Sequence, residues 1–513
     1  CFLGFIMGRE SEFSIWFPFC EITYICFKIL LKTISIHFKM TEKSSKNIFS
    51  RIFSTIKMAL NGESNYDFTS GKINTAVILL AIPMVLEMMM ESVFALVDLY
   101  FVGHLENSSF AVQTVGLTES VLTIIYSLAI GISMAATAVV ARRIGEKDPV
   151  AAAKAGMQAI VIAVAINIVI SILGIVFATD MLMWMGSSRE SAIYGTSFVQ
   201  IMMGGSTSIM LLFLINGIFR GAGNAAIAMK SLWLANICNI ILCPIFINGL
   251  GPIPAFGLTG AAMATTTGRS IGVLYQLYNL FNGKGVIKMV LAYITPDFEQ
   301  IKAIVKIAAP GVLQFVIASC SWIFLAKLVA TTGGDQGSAG YQTALRIMMF
   351  FILPAWGLSG AAATLVGQNL GAKQVERAEK SVFVTAKYNV IFMAIITVIT
   401  LTGAEYMVSL FTNDAVVLKI AVEALQIVSL GYVFYGIGMV LINVFNGAGD
   451  TWTPTKINFF GFWLFQIPLA YFLAKHLKMG PTGVFMAIPI AEACITVAGY
   501  VLYKKGKWKR IEV

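Results

Sequence analysis

The sequence predicts an all-α polytopic membrane protein: twelve transmembrane helices in two parallel six-helix repeats that form two lobes. Three observations carry this. The 513 residues are 58% hydrophobic and only 12% charged, with a mean hydropathy of +0.82, whereas soluble domains carry about 25% charged residues. Uncharged apolar runs of at least the ~20 residues that cross a hydrocarbon core recur along nearly the whole chain. Four motifs of the first half recur, in order, in the second.

The runs place spans near 75–101, 111–140, 155–178, 192–219, 231–248, 258–281, 304–330, 340–369, 381–402, 416–446, 455–474 and 481–503. Lys and Arg then set the orientation. The connecting segments on one side hold 25 basic residues and those on the other hold three, Arg189, Lys475 and Lys478. The basic side is expected to be cytoplasmic and to hold both termini, which requires an even number of spans. The net charge of +10 is explained by this asymmetry, so no nucleic-acid partner is expected.

The repeat is read from matched motifs. "PMVLE" at Pro83 returns as "PGVLQ" at Pro310. "GISMAATAVVARRIG" from Gly131 returns as "GLSGAAATLVGQNLG" from Gly357, and "FRGAG" from Phe219 as "FNGAG" from Phe445. "GLTGAAMA" from Gly257 returns as "GPTGVFMA" from Gly480. The offset drifts only slightly from the first pair to the last, as in two copies of one unit. Six spans bring the chain back to its starting side, so the repeats are parallel, and in such proteins the site lies near the midplane between or within the halves.

The expected organisation is an N-lobe at 73–281, a linker at 282–303 on the basic side, a C-lobe at 304–503 and a basic tail at 504–513. Residues 40–72 form a further segment on the basic side. Residues 1–39 begin at Cys1, mix aromatics, Cys and Lys, and lack a signal-peptide pattern. They read as an upstream or disordered extension before a start at Met40, with an extra amphipathic anchor as the rival reading. Neither the seven cysteines nor the three histidines show metal-ligand or disulfide spacing, and no catalytic cluster or cofactor motif supports an enzyme.

Charges inside the bilayer are the informative residues, because each costs about 2.5–3.5 kcal/mol at the centre on insertion scales. "VLEMMMESVFALVDLYFVG" carries Glu87, Glu91 and Asp98 in an otherwise apolar span. At about 100° per residue the three fall within about 40° of one helix face, along a stripe ~16 Å long. A stripe of acids cannot face lipid, so it lines a polar interior. A protonated acid leaves such a chamber neutral and a deprotonated one attracts a cation. A proton and a cationic substrate would then compete for one site, the basis of antiport. A structural pair of Glu87 or Glu91 with Arg269 is the competing reading. Arg346 and Glu492 divide evenly between structural pairing and a role in the cavity, and Glu119 reaches toward the interface. Pro83 and Pro310 occupy matching places in the first helix of each half and are candidate hinges.

Taken together, "PMVLEMMMESVFALVDLYFVG", "VVARRIG", "FRGAGN", "FINGLGPIPAFGLTGAAMAT", "PAWGLSGAAATLVGQNLGA", "NGAGDT" and "AIPIAEA" make residues 72–510 resemble the multidrug and toxic compound extrusion (MATE) family. The resemblance implies a plasma-membrane antiporter (inner membrane in a Gram-negative cell) that expels organic cations against an inward flux of H⁺ or Na⁺. The family's coupling aspartate falls on Asp98 and its bending proline on Pro83. Its fifth-span asparagine falls on Asn239, but the aspartate expected before Pro244 is Cys243, a departure for which Glu87 and Glu91 offer compensation. Some relatives also use a seventh-span carboxylate; this span offers Gln314 and Ser319 but no acid, which weakens a sodium site in the second lobe.

The expectation is therefore a cation-coupled efflux antiporter with Asp98, Glu91 and Glu87 as coupling residues. Asn239, Cys243, Gln314, Arg269, Arg346 and Glu492 would line the cavity, and Pro83 and Pro310 would be hinges. It would act as a monomer in the bilayer, on small organic cations, with no cofactor beyond the coupling ion. The alternative is a flippase for lipid-linked sugars, whose anionic cargo calls for a cationic cavity.

Overall fold

The computed structural model describes residues 54–62, 66–103, 108–283 and 285–511, without the side chains of residues 95–109 and 112. The readings for residues 1–39 and for the Asp98 side chain therefore lie outside the described residues. The first half runs α1 (Ile73–Gly103), α2 (Ser108–Gly145), α3 (Pro149–Val176), α4 (Arg189–Gly204), α5 (Ser206–Gly221), α6 (Ala225–Asn248) and α7 (Leu258–Phe281). The second runs α8 (Phe298–Gly371), α9 (Val375–Ser409), α10 (Ala415–Ser429), α11 (Tyr432–Gly447), α12 (Trp452–His476) and α13 (Pro481–Lys504).

Among the described residues, nine helices are long and apolar enough to cross a membrane, or ten with α10 and α11 counted as one bent span. Two further spans complete the expected twelve. The 74-residue α8 is two spans joined at Gly334, whose φ of 62° turns the chain in a region glycine enters freely. At 24 residues α7 is long enough to span, but Thr265, Thr266, Thr267, Arg269 and Ser270 dilute its apolar run. Several helices, α2, α6 and α9 among them, outlast their apolar runs by a turn or more.

Two spans are interrupted rather than continuous. The fourth is broken at Gly205 between α4 and α5, and the tenth bends by 55° between α10 and α11. Within α12 the residues Phe459–Gln466 and Phe472–His476 widen into π-helix.

Side-chain and glycine caps set the helix ends. Asp148, Asn224, Asp297 and Asp414 accept backbone N–H groups at the starts of α3, α6, α8 and α10. The "FRGAGN" and "FNGAGD" motifs end α5 and α11 identically. Gly223 and Gly449 take φ values of 87° and 88°, and the backbone N–H groups of Asn224 and Asp450 donate back to the Phe219 and Phe445 carbonyls at 2.8 Å.

The halves meet along a glycine seam at the basic end of the bundle. A Cβ on Gly145 of α2 would run into the Gln368 carbonyl of α8, and one on Gly371 of α8 would run into the Arg142 carbonyl of α2. Gly131 likewise backs onto Val312, and Gly357 onto Met84 and Val85. These contacts interchange under the repeat offset, as a pseudo-twofold axis requires. The Thr364 hydroxyl and Gln368 amide add donations to the Arg220 and Gly221 carbonyls at 3.0 and 2.9 Å. Toward the other end, Gly116, Glu119 and Ser120 of α2 and Gln342 and Arg346 of α8 are exposed. The molecule is thus sealed on the basic side.

Candidate functional site

The glutamates of α1 face the interior of the first half, against α5, α6 and α7. Glu87 is 0% exposed. Its Oε1 accepts from Asn216 Nδ2 at 2.8 Å and Arg220 Nη2 at 3.2 Å, both on α5. Asn216 in turn accepts from the Ser231 hydroxyl at 3.0 Å and the Gln276 amide at 2.6 Å, tying α5 to α6 and α7. One turn along α1, Glu91 accepts from Asn236 Nδ2 of α6 and Arg269 Nη2 of α7, each at 3.0 Å. The Arg269 guanidinium also lies over the Phe94 and Phe213 rings, 5.4 and 5.7 Å from their centroids.

Both glutamates are therefore held in ion pairs. The pair of Glu91 with Arg269 is the structural alternative the sequence left open. The partner of Glu87 is Arg220, which hydropathy had assigned to a connecting segment; its side chain reaches back along α5 into the core. Glu87 Oε2 is buried with no hydrogen-bond partner among the described residues, leaving one carboxylate oxygen able to take up a proton.

The other expected site residues fall into separate places. Asn239 sits one turn beyond Asn236 and donates to Thr265 Oγ1 at 2.9 Å, clamping α6 to α7 rather than touching either glutamate. Cys243 is fully buried a turn further along. Gln314 of α8 is the repeat counterpart of Glu87, and its Oε1 is buried without a partner among the described residues. Arg346 faces the gap between the halves, within electrostatic reach of Glu119 on α2. Glu492 of α13 lies deep in the second half. Pro83 and Pro310 are both inside helices, as expected.

Sequence reasoning missed Arg220, Asn216, Asn236, Ser231 and Gln276. All five are polar residues on helices that pack against α1 or against one another. The available signal was the spacing of Asn236 and Asn239, which puts two amides one turn apart on α6.

The lobes, the glycine seam and the polar cluster inside the first half define a two-lobed, twelve-span membrane protein of repeated design. The MatE family model matches residues 83–245 and 310–472, well over half of the chain, and its two segments begin at the matched prolines, Pro83 and Pro310. The chain belongs to the MatE family. It is 23% identical over 441 residues to the probable multidrug resistance protein NorM of Thermotoga maritima, covering 86% of this chain and 94% of that one. It is 22% identical over 445 residues to the multidrug export protein MepA of Staphylococcus aureus, covering 86% and 96%. A solved structure described as the outward-facing conformation of a multidrug resistance MATE family transporter of the MOP superfamily superimposes with a TM-score of 0.81 at 26% identity, covering 86% of this chain and 98% of that one.

Proposed function

We propose that the chain is a cation-coupled multidrug efflux antiporter that exports organic cations by alternating access between its two lobes. The carrying observation is the acidic face of α1, whose glutamates point into the first lobe and not into lipid. The likeness to proteins named for multidrug resistance and export supports the cargo class.

On this reading Asp98 carries the coupling ion, H⁺ or Na⁺, on the same helix face as Glu87 and Glu91. The two glutamates hold α1 against α5, α6 and α7 and enter the cycle only by exchanging their arginines for an ion. Pro83 and Pro310 are the bending points. With the basic side taken as cytoplasmic, the close packing there supports reading the present conformation as the one open to the outside. The protein works as a monomer in the plasma membrane, or the inner membrane of a Gram-negative cell, with both termini in the cytoplasm. The segments 73–281 and 304–503 are its lobes, and no cofactor beyond the coupling ion is required.

The test is efflux of a fluorescent organic cation from vesicles containing the purified protein, under an imposed proton gradient and then a sodium gradient. Efflux driven by one of them supports the reading. A lipid-linked sugar flippase gives no dye movement under either.

A further inference from the structure

At the basic end of the bundle an open cleft of ≈ 690 Å³ lies between the start of α1 and the first turns of α9. Pockets of about 300–1,000 Å³ hold drug-sized molecules, so an occupant the size of a lipid headgroup fits. Lys72 and Asn74 line the cleft from the first half, and Arg377, Lys380, Phe383 and Val384 line it from the second. Lys72 and Lys380 are exposed, and neither is in an ion pair among the described residues. Glu379, an acid in the lining, is held by Lys509 of the basic tail, so its charge is already matched. The cleft therefore presents one uncommitted ammonium group from each half.

The surrounding structure holds these two groups at one opening. Arg377 donates to the Phe68 and Gly71 carbonyls, which docks the segment before α1 against α9 and brings Lys72 beside Lys380. α1 begins at Ile73, and its N-terminal end adds partial positive charge next to Asn74. Beneath the opening, Ile73 and Leu79 of α1 and Val384, Tyr388 and Phe392 of α9 pack onto one apolar cluster, which gives the cleft a closed floor. The apolar runs of the two helices start near residues 75 and 381, so both lysines sit at the edge of the hydrocarbon. Phe383, about one turn further along α9, is 73% exposed. A small soluble anion would use the lysines and leave this ring uncovered, whereas an amphipathic anion engages both. Basic pockets between spans at a membrane surface are a recurring seat for anionic lipid headgroups.

We propose that this cleft binds one anionic phospholipid, its phosphate between the Lys72 and Lys380 ammonium groups and an acyl chain along Phe383 and Val384. Because the two lysines belong to different halves, the bound headgroup bridges the halves at their sealed end. The site depends neither on the coupling role given to Asp98 nor on the identity of the cargo.

The test is equilibrium binding of a fluorescent phosphatidylglycerol to the purified full-length protein in detergent, with competition by unlabelled lipids. Saturable binding is expected, displaced by phosphatidylglycerol and at least about tenfold less well by phosphatidylcholine of the same chains or by glycerol 3-phosphate. Lys72→Gln and Lys380→Gln should each weaken binding about three- to fivefold, and the double variant about tenfold or more. Both side chains are exposed, so neither loss threatens the fold. Lys288→Gln, an exposed linker lysine on the same side but outside the cleft, should leave the affinity unchanged. Equal competition by phosphatidylcholine, or a loss in Lys288→Gln as large as in the cleft variants, overturns the proposal, since binding would then lack a defined anionic seat. Glycerol 3-phosphate competing as well as the lipid would make the occupant a free anion and overturns it too. Unchanged affinity in either single cleft variant overturns the bridge between the halves.

Discussion

Arg269 Nη2 donates to Glu91 Oε1 at 3.0 Å, joining the seventh helix to the first through the interior of one lobe. This contact fixes what the acidic face of α1 looks toward. The Arg269 side chain is 3% exposed and that of Glu91 19%, so the pair is largely withdrawn from solvent. Removing one partner strands the other charge, at a cost of about 3 kcal/mol. Glu91→Gln and Arg269→Gln are each expected to lower the melting temperature of the detergent-solubilised protein by several degrees. The double variant is expected to be more stable than the two single losses would add up to. A thermal double-mutant cycle measures the coupling, and additivity would show that the pair contributes nothing.

The two candidate hinges are not equivalent. Around Pro310 the Thr451 and Thr455 hydroxyls, beside and within α12, donate to the Ile307 and Pro310 carbonyls, both at 2.7 Å. Near Pro83 the Trp233 indole of α6 donates to the Leu86 carbonyl at 3.0 Å, and no threonine pair holds that segment among the described residues. The segment around Pro310 is thus pinned and that around Pro83 is freer to bend. Pro83→Ala is expected to slow transport about five- to tenfold without loss of expression, and Pro310→Ala to change it less. Initial rates in vesicles distinguish them, and equal effects would remove the asymmetry.

The reciprocal contacts of Gly145 and Gly371 leave no room for a side chain while the basic end is sealed. A methyl group at either position must push the helices apart, at about 1–3 kcal/mol. Gly145→Ala and Gly371→Ala are expected to shift the population away from the sealed state. Accessibility of single cysteines near the seam to a membrane-impermeant thiol reagent added from the basic side should rise. Unchanged accessibility would mean that the seam opens by another route.

A short segment before α1 provides a pH-dependent contact outside the bilayer. Burial works to raise the Asp67 carboxyl. The Thr69 hydroxyl and backbone N–H, at 2.6 and 2.8 Å, and Lys147 Nζ, at 3.1 Å, outweigh it and hold the carboxyl well below the usual carboxylate range. Because the folded group titrates below its unfolded value of about 3.9, its contribution is complete above that value and is lost as the pH falls through the folded one. Arg377 of α9 donates to the Phe68 and Gly71 carbonyls of the same segment, so loosening it weakens a tie between the halves. The protection factor at Thr69, its exchange rate compared with that of an unstructured chain at the same pH, should begin to fall below about pH 4 in the wild type and keep falling as the pH approaches the folded value. In Asp67→Asn the protection should already be low at neutral pH, with an overall stability cost of about 0.5 kcal/mol for so exposed a contact.

Much of the architecture was legible because bilayer constraints act on composition. The twelve runs, the basic asymmetry and the repeat each leave marks on one strand of letters. Gly131, Gly145, Gly357 and Gly371 stood in the matched motifs, and the seam explains them: repeated close approach demands repeated glycine. The site was legible only in part. The wheel placed Glu87 and Glu91 on one face, and they do share the lobe interior. It could not say that each would meet an arginine, because such pairing depends on which helices pack together. Arg220 was misplaced because hydropathy ends a span where the first charge appears, whereas the helix ends only at Gly221 and the Arg220 side chain turns back inward to Glu87.

The central claim, that carboxylates on the first helix couple an ion gradient to export, is most directly tested with Asp98→Asn. The substitution keeps the shape of the side chain and removes its charge. Purified wild-type and Asp98→Asn proteins would be compared at equal density in vesicles, following efflux of a fluorescent organic cation under a proton gradient and a sodium gradient. Gradient-driven efflux by the wild type, with loss of at least about tenfold in Asp98→Asn, is the result this account predicts. Asp98→Asn pumping at the wild-type rate under the same gradient would contradict it.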